Sequence, residues 1–218
     1  MKSYRLLIFD MDGTILDTLP FHCALVSRIF QSIGCPVSQE DLLPCMGVSF
    51  QDVLNQLIPP HLHERARQLS QTIPQDLRPL VKPVPKSLET LQSLRNLGWR
   101  TALLTNSPQQ VIDFFHTETG FLSCFDEVYP PQPTDIDKIS RCQQIFCLHG
   151  GTPSEFLYVG DSSHDMHLAQ LMKMDGCLVK SPWSWLQYER SQTSFTARYT
   201  LSYIQELLPL LFTTSLNV

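Results

Sequence analysis

Two aspartates with one residue between them, Asp10 and Asp12, stand near the start of the chain. Two more, Asp161 and Asp165, stand near its end. In an extended segment, residues i and i+2 point to the same side. Asp10 and Asp12 are therefore expected to face one spot just past a strand. Two acids facing one point are poor core material and good ligands for a hard cation. Gly13 allows a sharp turn directly after them. Four carboxylates converging on one edge repel one another, and a bound cation relieves that cost. Oxygen donors without His or Cys at matching positions favour Mg²⁺ over zinc. Mg²⁺ held by carboxylates usually accompanies phosphate chemistry. Other residues suit a phosphate group. Thr105 offers a hydroxyl, Asn106 and a helix beginning at Ser107 offer backbone N–H groups, and Lys138 offers a positive charge. On this reading Asp10 is the nucleophile and forms an aspartyl-phosphate. Asp12 protonates the leaving oxygen and later activates water.

These residues need elements that bring them together. Leu6–Phe9 is a continuous apolar run, which suits a strand covered on both faces. Further short apolar strands are expected at 101–105, 125–129, 156–160 and 177–179, of which 177–179 is the last with a clear pattern. Helical patterns alternate with them. Leu88, Leu91, Leu94 and Leu97 mark one helix face, Val111 to Phe115 a second, Ile139, Cys142 and Phe146 a third, and Met166, Ala169 and Met172 a fourth. Ser107-Pro108-Gln109-Gln110 reads as a helix start with Ser107 as cap, and Thr134 reads as the cap of the helix that carries Lys138. Alternating strands and helices imply an α/β fold with a mostly parallel sheet covered on both faces, which binds ligands at the carboxyl ends of its strands. Residues from about 17 to 80 read as helical throughout, and Asp17 as a helix cap. This stretch interrupts the sheet after its first strand and is placed to cover the same edge.

Composition narrows the function classes. A chain of 218 residues with 43% hydrophobic residues can bury a core. A formal charge of -5 argues against a nucleic-acid surface. Seven scattered cysteines without a C-x-x-C pair point to reduced thiols in a cytosolic protein. No signal peptide and no membrane-length apolar run is apparent. Oligomeric state is not encoded in these patterns.

Three segments together carry a family resemblance. Asp10-Met11-Asp12-Gly13-Thr14, Leu104-Thr105-Asn106-Ser107-Pro108 and Gly160-Asp161-Ser162-Ser163-His164-Asp165 resemble motifs I, II and IV of the haloacid dehalogenase superfamily. The nearest branch is that of phosphoglycolate phosphatase and β-phosphoglucomutase. The resemblance implies a Rossmann-like core at 1–16 and 82–218 and an α-helical cap at 17–81. It also implies Mg²⁺ dependence and aspartyl-phosphate chemistry on a small phosphorylated metabolite. The metal would be bound by the Asp10 carboxylate, the Asp12 backbone carbonyl and Asp161, with Asp165 close by. Relatives often carry Lys-Pro-x-Pro as motif III. This chain has Pro130-Pro131-Gln132-Pro133 there, and Lys138 is the nearest lysine that a flexible stem can bring to the site.

The expected activity is hydrolysis of a phosphate monoester, with 2-phosphoglycolate as one candidate. The alternatives are a phosphoglucomutase-like transferase and a non-catalytic protein that keeps the fold. The segment Cys45-Met46-Gly47-Val48 falls where relatives place a substrate-facing glycine, and it supplies no Arg or Lys for a substrate carboxylate. His164, His167, His61 and His63 read as helix residues rather than metal ligands. Trp183 and Trp185 fit either the core or the rim of the site.

Overall fold

The computed structural model describes residues 4–132, 137–189 and 194–215. The chain begins with β1 (Leu6–Phe9) and β2 (Leu16–Asp17). Four helices follow: α1 (Leu19–Ser32), α2 (Gln39–Leu42), α3 (Phe50–Leu57) and α4 (His63–Ser70). After β3 (Lys82–Pro83), strands and helices alternate: α5 (Ser87–Asn96), β4 (Thr101–Leu104), α6 (Gln109–Thr119), β5 (Glu127–Tyr129), α7 (Lys138–His149), β6 (Phe156–Gly160), α8 (Ser163–Leu171) and β7 (Asp175–Val179). The described chain ends with β8 (Tyr199–Leu201) and α9 (Leu207–Ser215).

Six strands form one sheet in the order β5-β4-β1-β6-β7-β8. All five pairings are parallel, with β1 hydrogen-bonded on both sides, to β4 and β6. Alternation along each strand divides the core. Leu7, Phe9, Leu103, Leu157 and Val159 pack on one face with residues of α5, α6 and α9. Leu6, Ile8, Ala102, Leu104 and Tyr158 pack on the other with residues of α7 and α8. β1 is fully buried along its length, and each such side chain contributes about 1.5–3 kcal/mol by leaving water. That burial makes the end of β1, where Asp10 follows, one of the best-fixed points in the chain. Its neighbour β6 ends at Gly160, directly before Asp161.

The helices α1 to α4 lie between β2 and β3. Those two strands pair antiparallel, Leu16 with Pro83 and Asp17 with Lys82, so the chain leaves and returns at one place. The helical stretch shares its apolar core with one face of the sheet, through Phe21, Leu25, Leu42 and Leu54.

Several details differ from the sequence reading. Asp17 is not a helix cap. It lies in β2 opposite Lys82, and Thr18 precedes α1 without a side-chain capping bond. Ser107 is not the cap of α6 either. Pro108 occupies that position, and the Ser107 hydroxyl is engaged elsewhere. The cap of α7 is Asp137, which accepts from the Ser140 N–H at 3.0 Å, while Thr134 falls outside the described residues. One further strand, β8, follows β7 and has no clear pattern in the sequence. Three residues with mixed burial give no periodic signal, and pairing with β7 is what extends them. No helix among the described residues is long and apolar enough to cross a membrane.

Candidate active site

The carboxyl ends of β1, β4 and β6 open onto a cavity of about 610 Å³. Its lining includes Asp10, Asp12, Asn106, Lys138, Asp161 and Asp165 from the sheet side, and residues of α1 and α3 from the helical side. Asp10 follows β1, and its N–H donates to the Val159 carbonyl at 2.9 Å, which ties it to β6. Oxygens of Asp10, Asp161 and Asp165 lie within 4.8 Å of one another, and all three residues are buried.

Lys138, on the first turn of α7, reaches into this group. Its Nζ donates to Asp10 Oδ1 at 2.6 Å and to the Tyr158 hydroxyl at 3.1 Å, and stands 3.4 Å from Asp165 Oδ1. Asp165 does two jobs in the fold. Its Oδ2 accepts from the Ser162 N–H at 3.2 Å and from the Ser162 hydroxyl at 2.6 Å, closing a capping box at the start of α8, while its Oδ1 faces Lys138. Asp161 is held by the Thr14 hydroxyl at 3.1 Å and the Trp185 N–H at 2.6 Å. Gly13, with φ of 73°, closes the turn that carries Thr14. A Cβ at Gly13 would overlap the Asp161 carboxylate and the Trp185 ring. Gly160 is required in the same way, since a Cβ there would meet Asp165 at 2.5 Å.

Asp10 and Asp12 occupy different environments although only Met11 separates them. Burial pushes the Asp10 carboxyl up to about 7, against the pull of Lys138, and the charges of Asp165 and Asp12 add to the rise. Burial also works against ionised Asp12. There His22, Thr18 and Ser107 outweigh it and hold the carboxyl below its ordinary value. The Thr18 hydroxyl donates to Asp12 Oδ1 at 2.5 Å, His22 Nε2 lies 3.1 Å from the same oxygen, and the Ser107 hydroxyl donates to Oδ2 at 3.1 Å. The Asp12 carboxylate therefore stands outside the three-acid group. Asp161 is pushed well above the carboxylate range by burial and by Asp165 and Asp10. Burial works against the charge on Lys138, but Asp10, Tyr158 and Asp165 overcome it and keep the ammonium protonated.

Thr105 is fully buried, and its hydroxyl oxygen accepts from the Ser107 N–H at 3.0 Å, which shapes the turn after β4. Asn106 is exposed and lines the cavity. Arg141, one turn beyond Lys138 on α7, holds this turn from below. It donates to the Thr105 carbonyl at 2.5 Å, the Tyr129 carbonyl at 3.0 Å and Asn106 Oδ1 at 2.8 Å.

Thr18, His22, Arg141, Tyr158 and Trp185 were not singled out by sequence as site residues, although Trp185 was noted for the rim. A signal existed for two pairs. Thr18 and His22 are four apart, and Lys138 and Arg141 three apart, so each pair shares a helical face. Trp185 is buried, lines the cavity, and packs edge-on against His22 with ring centroids 5.7 Å apart. Its indole N–H is buried without a partner. His164 is exposed at the cavity rim, 3.9 Å from Glu189. His167 faces the Ser194 carbonyl, and His63 packs inside the helical region against the Ile58 carbonyl. None of these histidines joins the acidic group.

A model of the haloacid dehalogenase-like hydrolases matches residues 7–179, from β1 through β7. The chain belongs to that family. Among characterised relatives, it is 27% identical over 197 residues to a phosphoglycolate phosphatase of Vibrio cholerae, covering 81% of this chain and 83% of the relative. It is 25% identical over 216 residues to the pyrophosphatase PpaX of Bacillus cereus, covering 94% of each. Solved structures share the fold. A haloacid dehalogenase-like hydrolase from Streptococcus pneumoniae superposes with a TM-score of 0.80 at 18% identity, covering 97% of this chain and all of the other. A superfamily member from Geobacter sulfurreducens gives 0.70 at 20% identity, covering 95% of this chain and 100% of the other.

Proposed function

We infer that the chain is a Mg²⁺-dependent phosphatase that hydrolyses a small phosphate monoester through an aspartyl-phosphate on Asp10. One observation carries this reading: three buried carboxylates share one point beside a single lysine, Lys138. Three acids against one ammonium leave a buried negative surplus, which suits a divalent cation with oxygen ligands. Asp10, Asp161 and the Asp12 carbonyl would hold Mg²⁺, with Asp165 beside them, and the bound ion would offset charge on the phosphoryl oxygens.

The protein's own groups supply the remaining steps. An Asp10 oxygen attacks phosphorus, and the bond from phosphorus to the ester oxygen breaks. Protonated Asp12 gives its proton to that leaving oxygen, so an alcohol departs. Asp12, now ionised, takes a proton from water. The resulting hydroxide attacks phosphorus, the bond to Asp10 breaks, and phosphate leaves with Asp10 restored. Asp12 rests below its ordinary value, which suits its second task. The charge of an arriving phosphate dianion favours the protonated form that the first task requires. Lys138 binds a phosphoryl oxygen and keeps Asp10 oriented. Asn106 and the α6 N-terminus line the cavity and would face the phosphate, while Thr105, buried beneath them, shapes the turn that presents them rather than touching it.

In this reading residues 17–81 act as a cap on a core of 1–16 and 82–218, and the paired β2 and β3 form its hinge. The cap excludes water once substrate is bound. Seven cysteines scattered along the chain without a C-x-x-C pair support a reducing, cytosolic setting. The relatives' names suggest 2-phosphoglycolate or pyrophosphate as substrates. The test is a screen of phosphate monoesters with and without Mg²⁺. Wild type is expected to release phosphate only with the metal, and Asp10→Asn to release none while keeping the wild-type circular dichroism spectrum. Metal-independent turnover, or turnover by Asp10→Asn, refutes the mechanism. Isomerisation of a hexose 1-phosphate without phosphate release would make it a mutase instead.

A further inference from the structure

The helical side of the cavity has a chemistry opposite to that of the strand ends. Val26 and Ile29 of α1, Met46 and Val48 of the following loop, and Phe50 and Val53 of α3 line it. The described lining from residues 18–81 has one carboxylate, Asp52, and contains no Lys or Arg. None of the arginines of this region lines the cavity, and three of them bind partners elsewhere. Arg28 makes a two-pronged contact with Asp76 at 2.9 and 2.6 Å. Arg67 binds Glu64 and Gln51, and Arg78 binds Glu118 at 2.7 Å. The cations that do line the cavity, Lys138 and Arg141, sit at the strand ends with the phosphate-binding groups.

His22 is the one basic side chain of this wall and is already engaged by Asp12 at 3.1 Å, so a leaving group with its own negative charge would meet no free counter-charge there. It would lose its hydration against aliphatic and aromatic side chains, and Asp52 would repel it. Glycolate and a second phosphate are both such groups. An uncharged, apolar leaving group pays neither cost and gains by removing the wall from water. Size agrees with this. A cavity of about 610 Å³ falls within the roughly 300–1,000 Å³ range of sites for drug-sized ligands, well beyond what a two-carbon acid fills.

We propose that the site takes phosphate monoesters whose leaving group is uncharged and largely apolar, with the bulk of an aryl or branched alkyl group, seated against Val26, Ile29, Met46, Val48, Phe50 and Val53. The proposal rests on the phosphatase reading above for its reacting end. Phe50 sets the selectivity, because it is half-buried, lines the cavity and begins α3 next to the Asp52 carboxylate.

Two measurements on the Mg²⁺-loaded full chain test it. The first compares kcat/KM for phenyl phosphate, 2-phosphoglycolate and pyrophosphate. Phenyl phosphate is expected to lead each of the others by at least about 10-fold, the scale of discrimination by an apolar pocket. The second compares binding of phenylphosphonate and phosphonoacetate by titration calorimetry, where no bond is broken. Phenylphosphonate is expected to bind tighter by a similar factor. Tighter binding of phosphonoacetate, or a lead for 2-phosphoglycolate or pyrophosphate in turnover, overturns the proposal. If no ester is turned over and phenylphosphonate still binds tighter, the phosphatase reading falls and the ligand class stands. Phe50→Arg is expected to narrow the phenylphosphonate preference by about 10-fold or reverse it, with Val48→Arg as the second variant should the first fail to fold. An unchanged ratio in a folded variant also overturns the proposal.

Discussion

The strand-end floor of the cavity and its helical wall differ in where their polar side chains point. On the floor they turn inward and bind one another: Lys138 spans Asp10 and Asp165, Thr14 and the Trp185 N–H hold Asp161, and Ser107 reaches Asp12. On the wall the arginines turn outward to surface partners and apolar groups face the cavity. The floor hangs on buried strands whose register fixes each carboxylate. The wall hangs on α1, the short helix α3 and the loop before it. Groups that every phosphoryl transfer needs are therefore fixed by the backbone of the sheet, and groups that distinguish one ester from another sit on elements that tolerate exchange.

The largest effects should follow from breaking the floor. With Asp10 as the proposed nucleophile, Asp10→Asn is expected to lower kcat by more than about 10⁴-fold. Asp12→Asn leaves attack possible but removes the proton carrier, for a loss of roughly 10²–10⁴-fold. Substrates with more acidic leaving groups should suffer less from Asp12→Asn than from Asp10→Asn. Equal loss across a series of leaving-group pKa values would argue against the assigned roles. Thr18→Val and His22→Ala come from the wall side but touch Asp12, and each is expected to cost about 10-fold in kcat. A rise in KM alone would place them in substrate binding instead.

The floor's surplus of negative charge gives a second way to sharpen the comparison. Burial and mutual repulsion raise Asp10 and Asp161, so metal-free folding carries a cost that a cation would relieve. At Mg²⁺ concentrations near 100 times Kd, the native state should gain about 2.7 kcal/mol. For a chain of this size that corresponds to a rise in Tm of roughly 5–10 °C. Scanning calorimetry with Mg²⁺ and with chelator measures it. Asp161→Asn should abolish most of the rise. No change on adding Mg²⁺ to wild type would remove the metal from the reading.

Legibility in the sequence followed the same division. β1, β4 and β6 were readable because buried parallel strands are continuous apolar runs, with Asp10 and Asp12 just past β1, Thr105 and Asn106 past β4, and Asp161 and Asp165 past β6. What pairs with each acid was not readable. Thr18, His22 and Ser107 reach Asp12 only because the chain turns at Gly13 and enters α1 beside the end of β4, and that juxtaposition is tertiary. Ser107 matched a cap pattern and went to Asp12 instead, since a hydroxyl beside a buried carboxylate gains a charge-assisted bond. Lys138 could be proposed from its charge, but its contact with Asp10 depends on how α7 lies against β6. β8 was missed because its three residues acquire strand geometry only from β7.

The smallest expected effect lies at the opposite end of the same sheet. Glu127 begins β5, away from the cavity, and its carboxylate accepts from Tyr129 and Arg100 and lies 2.9 Å from His149 Nε2. Burial raises its pKa, but Tyr129, His149 and Arg100 outweigh burial and hold it below the ordinary value. This is a carboxylate whose neighbours match its charge, in contrast to Asp161. A depressed folded pKa means that Glu127 stabilises the fold above its unfolded value of about 4.3. That contribution disappears as pH falls through the lower folded value. With Arg100 largely exposed, the network is worth less than about 1 kcal/mol. Glu127→Gln should therefore lower Tm by less than about 4 °C at pH 7, and the difference from wild type should shrink to nothing as pH falls through the lowered folded value. Mg²⁺ should raise the Tm of this variant as much as that of wild type, because the ion answers the acids at the carboxyl ends of the strands and not this one. A variant that lost its Mg²⁺ response would show the two ends of the sheet to be coupled, and the division between them would fail.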